Sequence, residues 1–165
     1  MPLVELHGLG VAHQLLGDQV AAAASLEKAP AWVRELLQNE PLGHLGLLDD
    51  GGHPRVLPVT FAMVNGEIWS AVDDKPKRVA GGELARVRWL RARPSSALTV
   101  DRYSPDWSRL AWVQLVGTTT VVDVGGQEPV LEALSARYAP YRERPPRGPL
   151  LRLVPERCVW WRSQR

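Results

Sequence analysis

Three cations fall within four positions in the run Val72-Asp73-Asp74-Lys75-Pro76-Lys77-Arg78. An alternating segment, 67–72, precedes the run, and an arginine-rich helical segment follows it. A strand handing over to a helix beside Lys75, Lys77 and Arg78 suits a phosphate group. Lysine brings a mobile point charge, arginine a planar fork, and a helix start unpaired N–H groups. If that phosphate belongs to a flavin-like cofactor, the protein is a redox protein. The plainer reading is a solvated turn, as charge runs usually are.

Other candidates are weaker. Arg86, Arg88, Arg91 and Arg93 form either an exposed helix face or a docking surface for an acidic tail. Trp107 stands in a polar loop, where it either lines a pocket or caps the fold. Gln114 shares a strand face with Trp112 and Val116, so it either contacts a ligand or satisfies a buried backbone group. The histidines show no metal-ligand spacing: His7 and His13 lie near the start, while His44 and His53 flank a strand and its turn. No metal site is expected. There is no Gly-x-Ser-x-Gly elbow and no Gly-x-Gly-x-x-Gly loop, which leaves hydrolase and Rossmann readings without support. The single cysteine, Cys158, excludes an internal disulfide and reads as core filler.

These residues need a scaffold, and 165 residues are enough for one domain with a sizeable core. The net charge of +2 does not argue for nucleic acid. No run approaches the roughly 20 apolar residues of a spanning helix, and no leader pattern opens the chain. A cytoplasmic location is the default. Residues 1–29 lack a sustained amphipathic stripe and are expected to be an extension, partly helical or mobile. Residues 30–165 then form the domain.

Trp32, Val33, Leu36 and Leu37 make one apolar helix face between Pro30 and Gln38. From Gly43 the period becomes two. Strands are expected at 44–48, 55–63, 67–72, 97–102, 110–123, 150–154 and 157–161. Asp49-Asp50-Gly51-Gly52 is a turn, and Asn65-Gly66 is a type I′ hairpin signal. Pro58 marks an edge or a bulge, and Gly117 a bulge or bend. Further helices are expected at 79–93 and from Pro129 to Tyr138, with a basic, proline-rich connection over 140–149. The sum is a mainly β fold with flanking helices, built as a six- to seven-stranded antiparallel barrel with Greek-key character.

The order of elements resembles the pyridoxamine 5'-phosphate oxidase-like, FMN-binding split-barrel superfamily, and within it the branch dependent on the deazaflavin coenzyme F420. The resemblance rests on Arg55-Val56-Leu57-Pro58-Val59-Thr60-Phe61, on the run 71–78, on Leu90-Arg91-Ala92-Arg93-Pro94, and on the stretch 101–110 around Trp107. It covers about residues 31–162. It departs from the oxidase branch in Trp112-Val113-Gln114-Leu115-Val116-Gly117, where that branch carries arginines. Pyridoxamine phosphate is therefore disfavoured as substrate.

The resemblance implies a homodimer with cofactor grooves between protomers. The backbone at Leu57, Pro58, Val59 and Thr60 would lie along the ring system, and Lys75, Lys77 and Arg78 would hold the phosphate. Trp107 and Gln114 would line the cofactor or substrate side, and Trp160, Trp161, Tyr138 and Tyr141 either cross the interface or pack in the core. No side chain is expected to be the chemical catalyst: hydride would pass between F420 and an electron-poor small-molecule acceptor. The alternatives are an FMN-dependent oxidase or reductase of the same fold, and a non-catalytic cofactor carrier.

Overall fold

Alternation of side chains along 111–122 builds a twelve-residue strand in the middle of the sheet. Ala111, Val113, Leu115 and Thr119 are buried, whereas Trp112, Gln114 and Val116 are partly exposed. The β-branched run from Thr118 to Val122 favours this extended backbone. The computed structural model describes residues 20–72 and 84–163.

The strands are β1 (Ala21–Ala23), β2 (Gly43–Leu48), β3 (Pro54–Val59), β4 (Ala62–Val64), β5 (Glu67–Ala71), β6 (Ser95–Arg102), β7 (Ala111–Val122) and β8 (Leu150–Arg162). The helices are α1 (Ala31–Asn39), α2 (Ala85–Ala92), α3 (Glu128–Arg137) and α4 (Ala139–Glu143). Short 3₁₀ turns occupy Leu26–Lys28 and Trp107–Arg109. No helix among the described residues is long and apolar enough to cross a membrane.

All pairings are antiparallel, in the order β3-β2-β6-β7-β8-β5-β4, with β1 added to β8. The two ends of this path, β3 and β4, are joined in the chain by Thr60 and Phe61. The sheet curls, because Leu45 and Val59 from one end and Ile68 from the other line one small interior cavity with Leu98 and Leu151. That is a split barrel: continuous pairing around the wall, and a seam between β3 and β4.

One apolar cluster fills the barrel and takes in Val33, Leu36 and Leu37 of α1 and Val87 and Leu90 of α2. A second cluster lies outside the wall, where Val130 and Leu134 of α3 and Tyr141 of α4 cover Trp69, Ala71 and Leu150. Burial of a side chain of this kind is worth about 1.5–3 kcal/mol, so both clusters hold the wall.

Several expectations need correction. The strand expected at 55–63 is two strands, because β3 pairs with β2 while β4 pairs with β5. The strands expected at 150–154 and 157–161 are one strand, β8, with Glu156 as an extra residue where the register slips opposite Val116 and Gly117. The bulge flips the inward set from Leu151 and Leu153 to Cys158 and Trp160. Gly117 is required there, since a Cβ would lie 2.0 Å from the Val154 carbonyl oxygen.

The stretch 140–149 contains part of α4. Ser95 and Ser96 belong to β6, where Ser96 Oγ shares a buried 2.6 Å hydrogen bond with Thr119 Oγ1. Residues 20–29 are built into the domain: β1 pairs with Cys158 to Trp160, and Leu26 and Ala29 are buried. Three alanines carry no period of their own, so only the partner strand makes them β. Among the described residues eight strands result where six or seven were expected. The Asn65-Gly66 hairpin has the left-handed φ of 53° and 77° that its type demands.

Candidate functional site

Cross-strand register brings the sequence-predicted residues of β3 and β7 onto one surface. Pro58 faces His44, His44 faces Thr99, Thr99 faces Gln114, and Gln114 faces Val159. Directly opposed residues of an antiparallel sheet share a face, so this row crosses the outside of the barrel. The next row is Val56, Gly46, Ala97 and Val116. Its two central members carry at most a methyl group, leaving a shallow trough between the walls Val56 and Val116.

Each predicted residue among the described ones has a definite position. Pro58 is exposed and points outward; Val59 is buried and Leu57 packs on the core, so these two offer a ligand only their backbone. They lie on β3, an end strand of the sheet, where one line of backbone groups has no strand partner among the described residues. Gln114 Nε2 donates to Thr99 Oγ1 at 3.2 Å, which aims its amide along the trough. Trp107 lies beyond the row in the turn between β6 and β7, and its indole is 66% exposed. Lys75, Lys77 and Arg78 lie outside the described residues.

The seam that carries β3 is held from α3 and α4. Tyr138 Oη accepts from the Phe61 backbone N–H at 3.0 Å and lies 2.9 Å from both the Phe61 and Pro41 carbonyl oxygens. Thr60 Oγ1 is 2.9 Å from Tyr141 Oη. Arg137 donates to the carbonyls of Leu37 and Glu40 and stacks 4.5 Å over the Phe61 ring. Tyr138, Tyr141 and Trp160 thus serve the core and the seam, while Trp161 remains partly exposed on the outer face. Two phenol hydroxyls thus hold the link between β3 and β4. A sequence reader's only cue was Tyr138-Ala139-Pro140-Tyr141, too short to carry a period.

Two of the α2 arginines meet the turn at Asp49. Arg88 Nη2 lies 2.8 Å from Asp50 Oδ2, and Arg93 donates to the Asp49 carbonyl at 3.0 Å. Arg55 sits 5.4 Å over the Trp89 ring. The Arg88 guanidinium holds Asp50 below the usual carboxylate range, and the His53 backbone N–H does the same for Asp49. Two of the four arginines therefore tie α2 to the β2–β3 turn. Burial pushes the Cys158 thiol up to about 12, as suits a core residue. No group of three or more metal-ligating side chains occurs among the described residues.

Comparison with known proteins decides the family. The sequence profile described as pyridoxamine 5'-phosphate oxidase matches residues 30–158. The chain belongs to that family. The barrel with its β3–β4 seam is the family's fold, and the neighbours among solved structures agree. A conserved hypothetical protein of Mycobacterium tuberculosis is 17% identical, with a TM-score of 0.67 over 86% of this chain and 89% of that one. An FAD-binding protein of Mesorhizobium loti is 18% identical, with a TM-score of 0.60 over 88% and 98%. The heme storage protein HutZ of Vibrio cholerae is 14% identical, with a TM-score of 0.63 over 79% and 92%. At such identities the likeness is one of fold. No curated protein matches the sequence. Proteins that share this fold are thus described with FAD and with heme.

Proposed function

We propose that this family member is an F420-dependent oxidoreductase that works as a homodimer in the cytoplasm. The observation that supports it most is the trough: Gly46 and Ala97 leave a flat shelf on the outer face, bounded by Val56 and Val116 and flanked by the row that runs from Pro58 to Gln114. A planar tricyclic ring fits such a shelf. The β3 backbone offers unpartnered polar groups to the ring's edge, and Gln114 offers a donor already oriented by Thr99.

When bound, the reduced deazaflavin supplies the hydride for an electron-poor small-molecule acceptor; the protein supplies orientation and electrostatics. Lys75, Lys77 and Arg78 hold the phosphate in this reading, and Trp107 shapes the acceptor side. The helices α3 and α4 cover β4, β5 and the start of β8, leaving Val56, Trp112 and Trp161 accessible on the trough side. An apolar rim beside a polar trough suits a second copy of the chain that closes the groove and excludes water.

The test is a fluorescence-polarisation titration with F420, with FMN as competitor, on the wild type and on Lys75→Ala and Lys77→Ala. Loss of one charged hydrogen bond costs about 1.5–3 kcal/mol, or roughly tenfold or more in affinity. Tight F420 binding weakened in both variants supports the reading. Retained FMN that F420 does not displace moves the protein to the FMN-dependent alternative, and binding without turnover of any acceptor makes it a carrier.

A second reading has one observation in its favour. His44 lies mid-row on the same face, 43% exposed, with Nδ1 3.8 Å from Asp101 Oδ1. A histidine with a carboxylate nearby would suit as a ligand to heme iron. A Soret titration separates the readings: a saturable band abolished in His44→Ala favours heme over a deazaflavin.

A further inference from the structure

The opposite side of the same three strands carries a second feature, independent of the trough. In the row after Asp101, Trp112 and Trp161, Arg102 faces Ala111 and Ala111 faces Arg162. Two guanidinium-bearing residues thus flank one methyl side chain, with their Cα atoms two strand spacings, about 10 Å, apart. Because side chains alternate along a strand, this row points away from the face that carries Trp112 and Gln114. A groove of about 700 Å³ opens there, bounded by α1 and by the 3₁₀ turn at Trp107–Arg109.

Both arginines of the row are held in place. Arg102 Nε donates to Glu40 Oε1 at 2.7 Å, and the Arg162 guanidinium stacks 5.1 Å over the Trp32 ring. Arg109 reaches the groove from the turn. Neither Arg109 nor Arg162 forms an ion pair among the described residues, in contrast to Arg102. Glu35 of α1 stands on the far wall. The floor at Ala111 and the walls at Trp32 and Leu36 are apolar. Guanidinium forks match a carboxylate in shape and charge, a flat apolar wall accepts a ring, and one opposing carboxylate disfavours ligands with several negative charges.

We propose that this groove is a binding site for a small aromatic carboxylate. Arg109 and Arg162 grip the carboxylate, and the ring lies over Ala111 against Trp32. Glu35 sets an upper limit on ligand charge. The site stands whichever prosthetic group the trough takes, since it uses neither Gln114 nor the residues 75–78.

The experiment is a ¹H–¹⁵N chemical-shift titration of the full chain with benzoate, with benzamide as its uncharged isostere and inorganic phosphate as a competing anion. Saturable benzoate shifts at the Trp32 indole N–H and at the amides of residues 108–111 are expected. Benzamide should leave them unmoved. Arg109→Ala, whose side chain holds no ion pair among the described residues, should weaken binding about tenfold. Glu35→Gln should strengthen it, a gain that a damaged fold would not produce. Four results overturn the proposal: no saturation at millimolar benzoate, equal binding of benzamide, displacement by phosphate at lower concentration than benzoate, or unchanged affinity in Arg109→Ala.

Discussion

Tyr138 Oη accepts a 3.0 Å hydrogen bond from the backbone N–H of Phe61, a residue 77 positions earlier in the chain. One phenol thereby ties α3 to the link at which the wall leaves β3 and begins β4. The oxygen also lies beside two carbonyls, and its single proton serves one of them at a time. The geometry of the β3 edge, and so of one bank of the trough, depends on this contact.

Tyr138→Phe keeps the ring and its edge-on contact with Tyr141 but strands the Phe61 N–H. An unsatisfied buried group costs about 1–3 kcal/mol. A lower urea midpoint with an unchanged slope is the expected outcome. A midpoint equal to wild type would mean that water replaces the phenol and that the seam is set by packing alone.

Gly117→Ala should be destabilising well beyond a surface change. Its Cβ would sit 2.0 Å from the Val154 carbonyl oxygen, and backbone cannot step aside as a side chain can. Overpacking of this sort costs typically about 1–3 kcal/mol. Thermal unfolding measures it, with Gly125→Ala as the control, because nothing lies within 4 Å of a Cβ there.

The Cys158 thiol is fully buried, and burial raises it to about 12 from 9.0. A thiol-specific disulfide reagent at pH 8 should therefore leave the native protein unmodified and react in full after denaturation. The raised value also sets a direction with pH: above 9.0 the unfolded thiol ionises while the folded one stays protonated, so stability declines there. Cys158→Ser would remove that part of the decline.

At the acid end the sign reverses. Asp50 is lowered by Arg88, Asp49 by the His53 backbone and Asp106 by the Ser108 hydroxyl, all from an ordinary 3.8. Depressed carboxylates add stability that is present above 3.8 and is lost as the pH falls through their folded values. Asp50 and Asp106 are exposed, so their share of the effect is screened. Asp50→Asn should flatten the fall in melting temperature below pH 4, and an unchanged slope would show that Arg88 contributes nothing there.

Gln114→Ala addresses the trough itself. The side chain is only partly buried and its one described partner is Thr99, so folding should survive. F420 affinity should drop about tenfold if the amide meets the ring, as loss of a hydrogen bond in a site does. An unchanged affinity together with an unchanged melting temperature would remove Gln114 from the cofactor site.

Much of the wall was readable in the order of residues, because strands and tight turns follow from neighbours two to four positions apart. Period two marked β2, β5, β6 and β7; Asn65-Gly66 demanded its hairpin, and Gly117 announced an irregularity opposite its partner strand. The helix α1 showed its face in Trp32, Val33, Leu36 and Leu37, and all but Trp32 are buried.

Tertiary pairing decided the rest. Ala21–Ala23 is a strand only because β8 runs on past the end of β5 and offers it an edge. Continuous at 55–63 by composition, the chain breaks at Thr60 because its two halves pair at opposite ends of the sheet. Thr60 itself, expected beside a ring, is engaged by Tyr141. Arg102 and Arg162 lie far apart in sequence and become neighbours of Ala111 through register alone. Backbone preference is short-ranged and written in each segment, whereas the choice of partner comes from burying every segment at once.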